Sequence, residues 1–204
     1  MRKHSGFTLI ELVVVVVILG FLAVTAIPKF IDLTDQAKQA NIEGMAGGFA
    51  TGVSLVRAQW EAEGRPQNGS SQNSVNYDGV DLVLTSENQA DGIRPGYVTG
   101  LTDGATLGGG FDAANCEEVW LNILQQPPGV TTSETTLNND DSVSYFVSKS
   151  GTGETSLCHY HLKESLVRDG NLWQAPDSNA LTTTGNSFTY APANSAVVIH
   201  INQQ

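Results

Sequence analysis

An almost uninterrupted apolar run near the N-terminus limits the folds open to this 204-residue chain more than anything else in its sequence. From Phe7 to Ile27 the polar interruptions are Thr8, Glu11 and Thr25. A helix rises about 1.5 Å per residue, so about 20 residues cover the roughly 30 Å hydrocarbon core of a bilayer. The run therefore predicts one membrane-spanning helix.

The residues around this run predict its orientation and argue against a simple signal peptide. Arg2 and Lys3 precede it, so the positive-inside rule places the N-terminus in the cytoplasm and exports the rest of the chain. A secretory signal cleaved near Val24-Thr25-Ala26 is the alternative. Glu11 counts against that alternative, because a carboxylate costs up to about 3 kcal/mol at the bilayer centre and needs a functional reason to be there.

A reason for Glu11 appears if the chain is cut between Gly6 and Phe7, because the cut creates an amine four residues before the carboxylate. Within one subunit, a carboxylate in the first turn complements the helix dipole by about 0.3 to 1 kcal/mol. Between subunits, it can neutralise the amine of a neighbouring Phe7 when the helices pack with an axial offset. The pattern thus predicts helices that associate with copies of themselves.

The segment that carries these residues resembles a known motif. Its sequence is Lys3-His4-Ser5-Gly6-Phe7-Thr8-Leu9-Ile10-Glu11-Leu12, which is similar to the cleavage and methylation motif of type IV prepilins. The resemblance implies that a prepilin peptidase cuts after Gly6 and methylates the amine of Phe7. It also implies that Glu11 acts in subunit recruitment and charge pairing.

Two later residues of the helix fit the same family. Gly20 and Pro28 match its helix-weakening glycine and kinking proline, and the resemblance implies that residues 20–28 lose helical structure in assembled fibres. Inside a helix, proline costs about 3 kcal/mol and glycine about 1 kcal/mol, which independently predicts a weak link. A simple kink at the membrane exit remains an alternative that is compatible with this one.

After Pro28 the chain is predicted to continue as an amphipathic helix that ends at Glu63-Gly64-Arg65-Pro66. Apolar residues recur there at three- and four-residue steps: Phe30, Leu33, Ala37, Ala40, Met45, Phe49, Val53, Val56 and Trp60. Small residues are expected to mark the packed face of this half: Gly44, Gly47, Gly48 and Gly52.

The remainder, with many glycines and few charges, predicts one loop-rich globular head. Its predicted elements are a loop over 67–76, a strand or helical turn over 80–84, a helix capped by Asp112 or Asn115 and reaching Gln125, a hairpin from 143–147 and 157–162, and final strands at 188–190 and 196–201. The fold class is α+β, a long helix on a mainly antiparallel sheet. The domains are a leader (1–6), a transmembrane and polymerisation helix (7–28), its amphipathic half (29–64) and the head (65–204).

Cys116 and Cys158 lie on the exported side of the predicted membrane helix. An even cysteine count in an exported domain indicates a disulfide, which would stabilise the head by about 3 to 4 kcal/mol. Two unrelated buried thiols are the alternative. Such a bond would join the helix that carries Cys116 to the sheet.

No catalytic constellation, cofactor site or metal site is predicted. His159 and His161 share one face of a strand, but a third ligand is not evident nearby, so ordinary strand histidines are expected. A solvated loop is expected at 138–141, which lacks the spacing of a calcium-binding loop. The glycine-rich stretch 102–110 lacks the ending of a phosphate-binding loop. The formal net charge of −11 argues against binding to nucleic acid.

The resemblance gives the functional expectation, which is a structural pilin and not an enzyme. Among type IVa major pilins, the length, the two spaced cysteines and Pro28-Lys29-Phe30 most resemble the mannose-sensitive haemagglutinin pilins. The resemblance implies a single-pass inner-membrane precursor, with the prepilin peptidase and the pilus assembly machinery as partners, and then an extracellular homopolymer. That fibre would serve attachment to surfaces and cells, carbohydrate-dependent agglutination and biofilm formation. A type II secretion pseudopilin and a membrane-tethered enzyme are the rival hypotheses.

Overall fold

A computed structural model of the protein describes residues 7–102 and 104–202. The predicted leader, residues 1–6 with Gly6, lies outside the described residues. The chain divides into two units, Met1–Ala37 and Lys38–Gln204. One helix, α1, spans Leu9–Ala62 and so contributes to both units.

In the first unit, α1 presents its apolar side chains outward. An 18-residue window of the helix has a mean hydropathy of 2.9, and none of that window is buried. Exposure of the large side chains ranges from 48% at Val13 and Val15 to 83% at Phe7 and Leu9. By length and composition this helix can cross a membrane, in agreement with the sequence.

In the second unit, α1 buries one stripe against the head. The buried residues are Ile42, Ala46, Phe49, Gly52, Val53, Val56 and Trp60. Of the predicted stripe, the residues from Phe49 onward are buried and Met45 is partly buried against the same core, whereas the earlier members are exposed: Phe30, Leu33, Ala37 and Ala40. The expectation for the small residues is correct only for Gly52, which packs against Ile123 of the head, whereas Gly44, Gly47 and Gly48 are exposed.

The head contains three β-sheets, two further α-helices and two short 3-10 turns within the described part of the chain. One antiparallel sheet contains β1 (Ser74–Tyr77), β2 (Val80–Leu84) and β3 (Val98–Gly100). The main sheet contains β4 (Gly129–Thr131), β5 (Val143–Ser150), β6 (Leu157–Leu162), β9 (Ser187–Ala191) and β10 (Ala196–His200). The remaining elements are α2 (Ala113–Ile123), α3 (Glu134–Asn139) and a small ribbon of β7 (Arg168–Asp169) and β8 (Leu172–Trp173).

The strand order of the main sheet is β10-β9-β6-β5-β4. Its neighbours are antiparallel except for β4 and β5, which run parallel. The predicted α+β class, the β5–β6 hairpin and the two final strands are therefore confirmed. β9 and β10 follow the second cysteine; β9 pairs with β6 and β10 pairs with β9, so this late part of the chain completes the main sheet.

Several local expectations need correction. The predicted loop over 67–76 already contains the start of β1 at Ser74. The predicted solvated loop at 138–141 begins inside α3, whose capping residue Ser133 accepts a hydrogen bond from the Thr136 amide. β3, β4 and the β7–β8 ribbon were not anticipated, because strands of two or three residues carry almost no periodic signal.

The core of the head is an aromatic cluster centred on α1 and α2. The Phe49 ring lies 5.0 Å from Tyr160 and 5.3 Å from both Phe188 and Tyr190, measured between centroids. Trp120 of α2 lies 5.1 Å from Tyr160. Large rings brought together in this way bury much apolar surface and fix how the helices sit on the sheet.

Candidate assembly site

The N-terminus of α1 carries a closed set of hydrogen bonds between Thr8 and Glu11. Glu11 Oε2 accepts from the Thr8 amide at 2.9 Å and from the Thr8 hydroxyl at 2.7 Å. The Glu11 amide donates in return to Thr8 Oγ1 at 3.3 Å. This reciprocal pattern is a capping box, which satisfies backbone donors that a helix start otherwise leaves unpaired.

The capping box gives Glu11 a role in the single subunit beyond the helix-dipole interaction expected from the sequence. The spacing Thr-x-x-Glu at the start of an apolar run is the signal that would have identified it. The carboxylate is exposed and held at the first turn, beside the exposed Phe7. From this exposed position the carboxylate can pair with a positively charged group outside the helix.

The other two predicted assembly residues lie within an unbroken part of α1. The helix continues through Gly20 and Pro28, and nothing lies within 4 Å of a Cβ built at Gly20. Thr25 donates its hydroxyl to the Leu22 carbonyl at 3.0 Å, so this polar group in the apolar span is satisfied locally. The subunit therefore holds residues 20–28 as helix.

In the head, Cys116 and Cys158 form a disulfide, with their Cα atoms 5.5 Å apart. Asp112 caps α2 and forms a capping box with Asn115, so both candidate capping residues contribute. Cys116 thus lies in the first turn of α2, and Cys158 lies on β6. The bond joins helix to sheet, as the sequence predicted.

His159 and His161 are buried neighbours on β6, exposed by 2% and 0%. Their rings are parallel and their centroids lie 6.2 Å apart. Burial lowers the pKa of His159 to about 4 and that of His161 to about 3. Within residues 7–102 and 104–202, no three His, Cys, Asp or Glu side chains form a group that could hold a metal ion.

The head also carries an open cleft of about 440 Å³ in the second unit. Its lining combines charged, amide and aromatic groups, including Asn41, Asp141, Tyr145, Lys163, Glu164 and Trp173. The Tyr145 hydroxyl donates to Asn41 Oδ1 at 2.5 Å, and Lys163 Nζ donates to the Asp140 carbonyl at 3.1 Å. The cleft thus presents polar groups in fixed positions.

Comparisons with known proteins agree with this architecture. Residues 1–27 match the family model described as the prokaryotic N-terminal methylation motif. A fimbrial protein of Moraxella nonliquefaciens is 31% identical over 121 residues, which cover 50% of this chain and 73% of that protein. The chain belongs to the type IV pilin family.

Two further relatives match shorter stretches of this pilin. A type IV narrow pilus major component of Thermus thermophilus is 48% identical over 64 residues, 31% of the pilin and 53% of that protein. A type II secretion system core protein G of Pseudomonas aeruginosa is 43% identical over 56 residues, 28% of the pilin and 39% of that protein. The pilin therefore matches about half or less of the length of these two relatives. No solved structure matches it significantly.

Proposed function

We propose that this pilin is the structural subunit of a type IV pilus and polymerises through its N-terminal helix into an extracellular fibre. The observation that carries the proposal is the outward-facing apolar surface of α1 in the first unit, where the large side chains are at least 48% exposed. Such a surface must be covered by lipid or by protein. Before assembly a bilayer covers it, and in the fibre copies of the same helix do.

In this proposal Glu11 exchanges partners on assembly. The carboxylate that accepts from Thr8 in the subunit pairs with the Phe7 amine of a neighbouring copy, so neither charge remains isolated among apolar helices. The prepilin peptidase supplies that amine by cutting after Gly6 and methylating Phe7. The membrane half at 7–28, with Gly20 and Pro28, forms the fibre core, and the head at 65–204, joined through 29–64, forms its outside.

The decisive experiment is mass spectrometry of the mature N-terminus in a strain that makes the fibre. We expect a methylated chain that begins at Phe7. A chain that begins after Ala26, or one that keeps Met1, contradicts the proposal, because either would remove the amine that Glu11 is placed to meet.

A matched pair of variants tests the role of Glu11. Glu11→Gln keeps the size of the side chain but removes its charge, and we expect processed subunits to accumulate in the membrane with few surface fibres. Glu43→Gln makes the same change on an exposed turn of the amphipathic half and should leave the fibres intact. Normal fibres from Glu11→Gln would overturn the charge-pairing mechanism.

The secretion pseudopilin is the weaker alternative, supported by the shorter match to the type II secretion protein. Electron microscopy separates the two, because a deletion strain that loses long surface fibres but still secretes its enzymes supports the pilus. The reverse phenotype supports the pseudopilus. Pilins are structural proteins, and we propose no enzymatic role for this one, so purified fibres should lack hydrolytic activity.

We further propose that the fibre attaches to surfaces and cells by binding carbohydrate, as in the mannose-sensitive haemagglutinin pilins. The polar and aromatic lining of the 440 Å³ cleft supports this, since such groups fix the orientation of a polar ligand. Asp141→Asn with Glu164→Gln changes two exposed cleft residues and should reduce mannose-inhibited agglutination and biofilm formation. Asp169→Asn with Glu87→Gln makes the same charge change outside the cleft and should not. Equal agglutination by the two double variants would show that the carbohydrate does not bind in this cleft.

A further inference from the structure

The outer face of the main sheet, opposite the aromatic core, carries polar residues in two rows. Strand register places His159 between Ser148 and Thr189 in one row, and places Ser187 between His161 and His200 in the other. A polar outer face is normal for a solvated sheet. Here, however, Ser187, His159 and Thr189 are exposed by only 0%, 2% and 4%, so this face is covered.

Residues 175–186 pack against this face, where Ala175 contacts the cluster that contains Phe146 of β5, and are called the cover segment below. Leu181 of the segment is only 7% exposed, and the backbone of Thr184 lies beside the His161 ring. Hydrogen bonds to the rest of the head lie at both ends of the segment. The Ala175 amide donates to Glu134 Oε1 at 3.1 Å, and Asn186 accepts from the Leu162 amide at its carbonyl (2.9 Å) and from the Asn202 amide at its Oδ1 (3.0 Å). Asn202 Nδ2 donates to the Thr182 carbonyl at 3.1 Å and to the Gly185 carbonyl at 2.7 Å, and the Asn186 amide donates to Ser165 Oγ at 2.7 Å.

Beneath the cover segment, polar atoms are buried without protein partners. Five buried side-chain atoms in the described residues have none, and all lie on this face: Ser148 Oγ, His159 Nδ1, His161 Nδ1, His161 Nε2 and Ser187 Oγ. The Thr184 backbone beside His161 acts to raise the pKa of that imidazole, but burial outweighs it and the pKa is lowered. Such an arrangement tolerates neutral imidazoles but opposes a buried charge.

We propose that the cover segment is an acid-labile strap, which closes over neutral His159 and His161 and opens when these histidines become protonated. In a protonated imidazole both ring nitrogens are donors, and neither His159 Nδ1 nor either nitrogen of His161 has an acceptor. His159 Nε2 has one partner, Ser150 Oγ at 2.7 Å. A second one, 6.2 Å away between ring centroids, would repel the first. Opening brings both rings into water, which solvates the charge.

The groups around His159 and His161 favour opening of the strap at low pH. Beyond burial, His200 lowers the pKa of His159, and His159 and His200 lower that of His161, whereas no carboxylate contributes to either shift. The residues that flank the pair on β5, β9 and the cover segment carry no group that titrates in this range: Phe146, Ser148, Ser150, Ser187, Thr189 and Thr184. His159, His161 and His200 are the only histidines in the sequence after His4.

The direction in which pH changes the stability of the closed strap follows from proton linkage. The pKa values of about 4 and 3 in the closed state lie below the ordinary value of 6.5, so the open state binds protons more readily. The closed state is therefore fully stable above about pH 6.5 and loses stability as the pH falls toward 4. With both histidines released, the opening constant should rise about 50-fold between pH 6 and pH 5.

Hydrogen exchange of the full mature chain in detergent micelles, corrected for the intrinsic effect of pH on exchange, measures this opening. Peptides within 175–186 should lose protection from pH 6 to pH 5, whereas peptides of α2 should not. His161→Gln should reduce the change to about 7-fold, since one titrating group is left. His200→Gln, which alters a partly exposed ring, should retain most of the wild-type change.

Direct titration of the wild-type imidazoles by NMR keeps the test decisive if His161→Gln does not fold. We expect two of the three histidine signals to titrate only as the strap exchanges. Unchanged protection of 175–186 between pH 6 and pH 5 would overturn the proposal. So would two buried imidazoles that titrate near 6.5 while the strap stays closed.

Discussion

The Glu11 carboxylate has one role in the pilin subunit and a second role in the proposed fibre. In the subunit, Glu11 closes a capping box with Thr8 and stabilises the first turn of α1. In the proposed fibre, the same carboxylate meets the amine of a neighbouring copy. The cap therefore keeps the side chain near the helix start, where that amine must arrive.

Replacing Thr8 by valine tests the cap at nearly constant shape. Thr8→Val removes the 2.7 Å hydroxyl bond to Glu11, and loss of a helix cap typically costs about 0.5 to 2 kcal/mol. We expect normal processing at Phe7 but fewer fibres, measured by mass spectrometry and by quantitative electron microscopy. Thr8→Ser keeps the hydroxyl and should restore the fibres, and a Thr8→Val strain with wild-type fibre numbers would show that the cap is dispensable.

At the level of elements, two glycines of α1 have opposite effects, because one lies on the packed face of the helix and the other on its exposed face. A Cβ at Gly52 would lie 2.8 Å from the carbonyl oxygen of Ile123, so only glycine allows α1 to approach α2 this closely. A Cβ at Gly48 would meet nothing within 4 Å. The same residue type is thus a packing requirement at one position and a cost in helix propensity at the other.

Alanine at each glycine should shift head stability in opposite directions. Gly52→Ala forces α1 and α2 apart and should destabilise the head by about 1 to 3 kcal/mol. Gly48→Ala should stabilise it by about 0.5 to 1 kcal/mol, because alanine favours the helix. Thermal unfolding followed by near-UV circular dichroism measures both, since all three tryptophans, including Trp60 of α1, lie in the second unit. Equal melting temperatures for the two variants would contradict the close approach at Gly52.

For the whole molecule, one disulfide connects α2 to the main sheet across 42 residues of chain. Cys116→Ala with Cys158→Ala should destabilise the head by about 4 kcal/mol, because the unfolded chain gains the freedom of that loop. Chemical denaturation of oxidised wild type and the double variant measures the difference. The helical signal of the apolar half of α1 should persist while the head unfolds, and simultaneous loss of both signals would contradict two separately stable units.

The local strength of each signal decided what could be predicted. The membrane helix, the α2 cap at Asp112 and the β5–β6 hairpin carry strong periodic or capping patterns, and the structure agrees with them. The short strand β4 carries no such pattern and exists because β5 offers it a parallel edge. For the candidate site, the cap that Thr8 forms with Glu11 was not predicted, although the Thr-x-x-Glu spacing of three residues is visible in the sequence.

The order of residues alone determined that this chain carries one exposed apolar helix with a carboxylate near its start, because hydropathy and charge are properties of each residue in turn. It also determined a disulfide-containing α+β head. Only the tertiary structure decided that His159 and His161 lie buried beneath residues 175–186, since strand alternation predicts which face a residue shares but not what covers that face. Burial of that face depends on a segment distant in sequence, and its effect on imidazole protonation follows from desolvation.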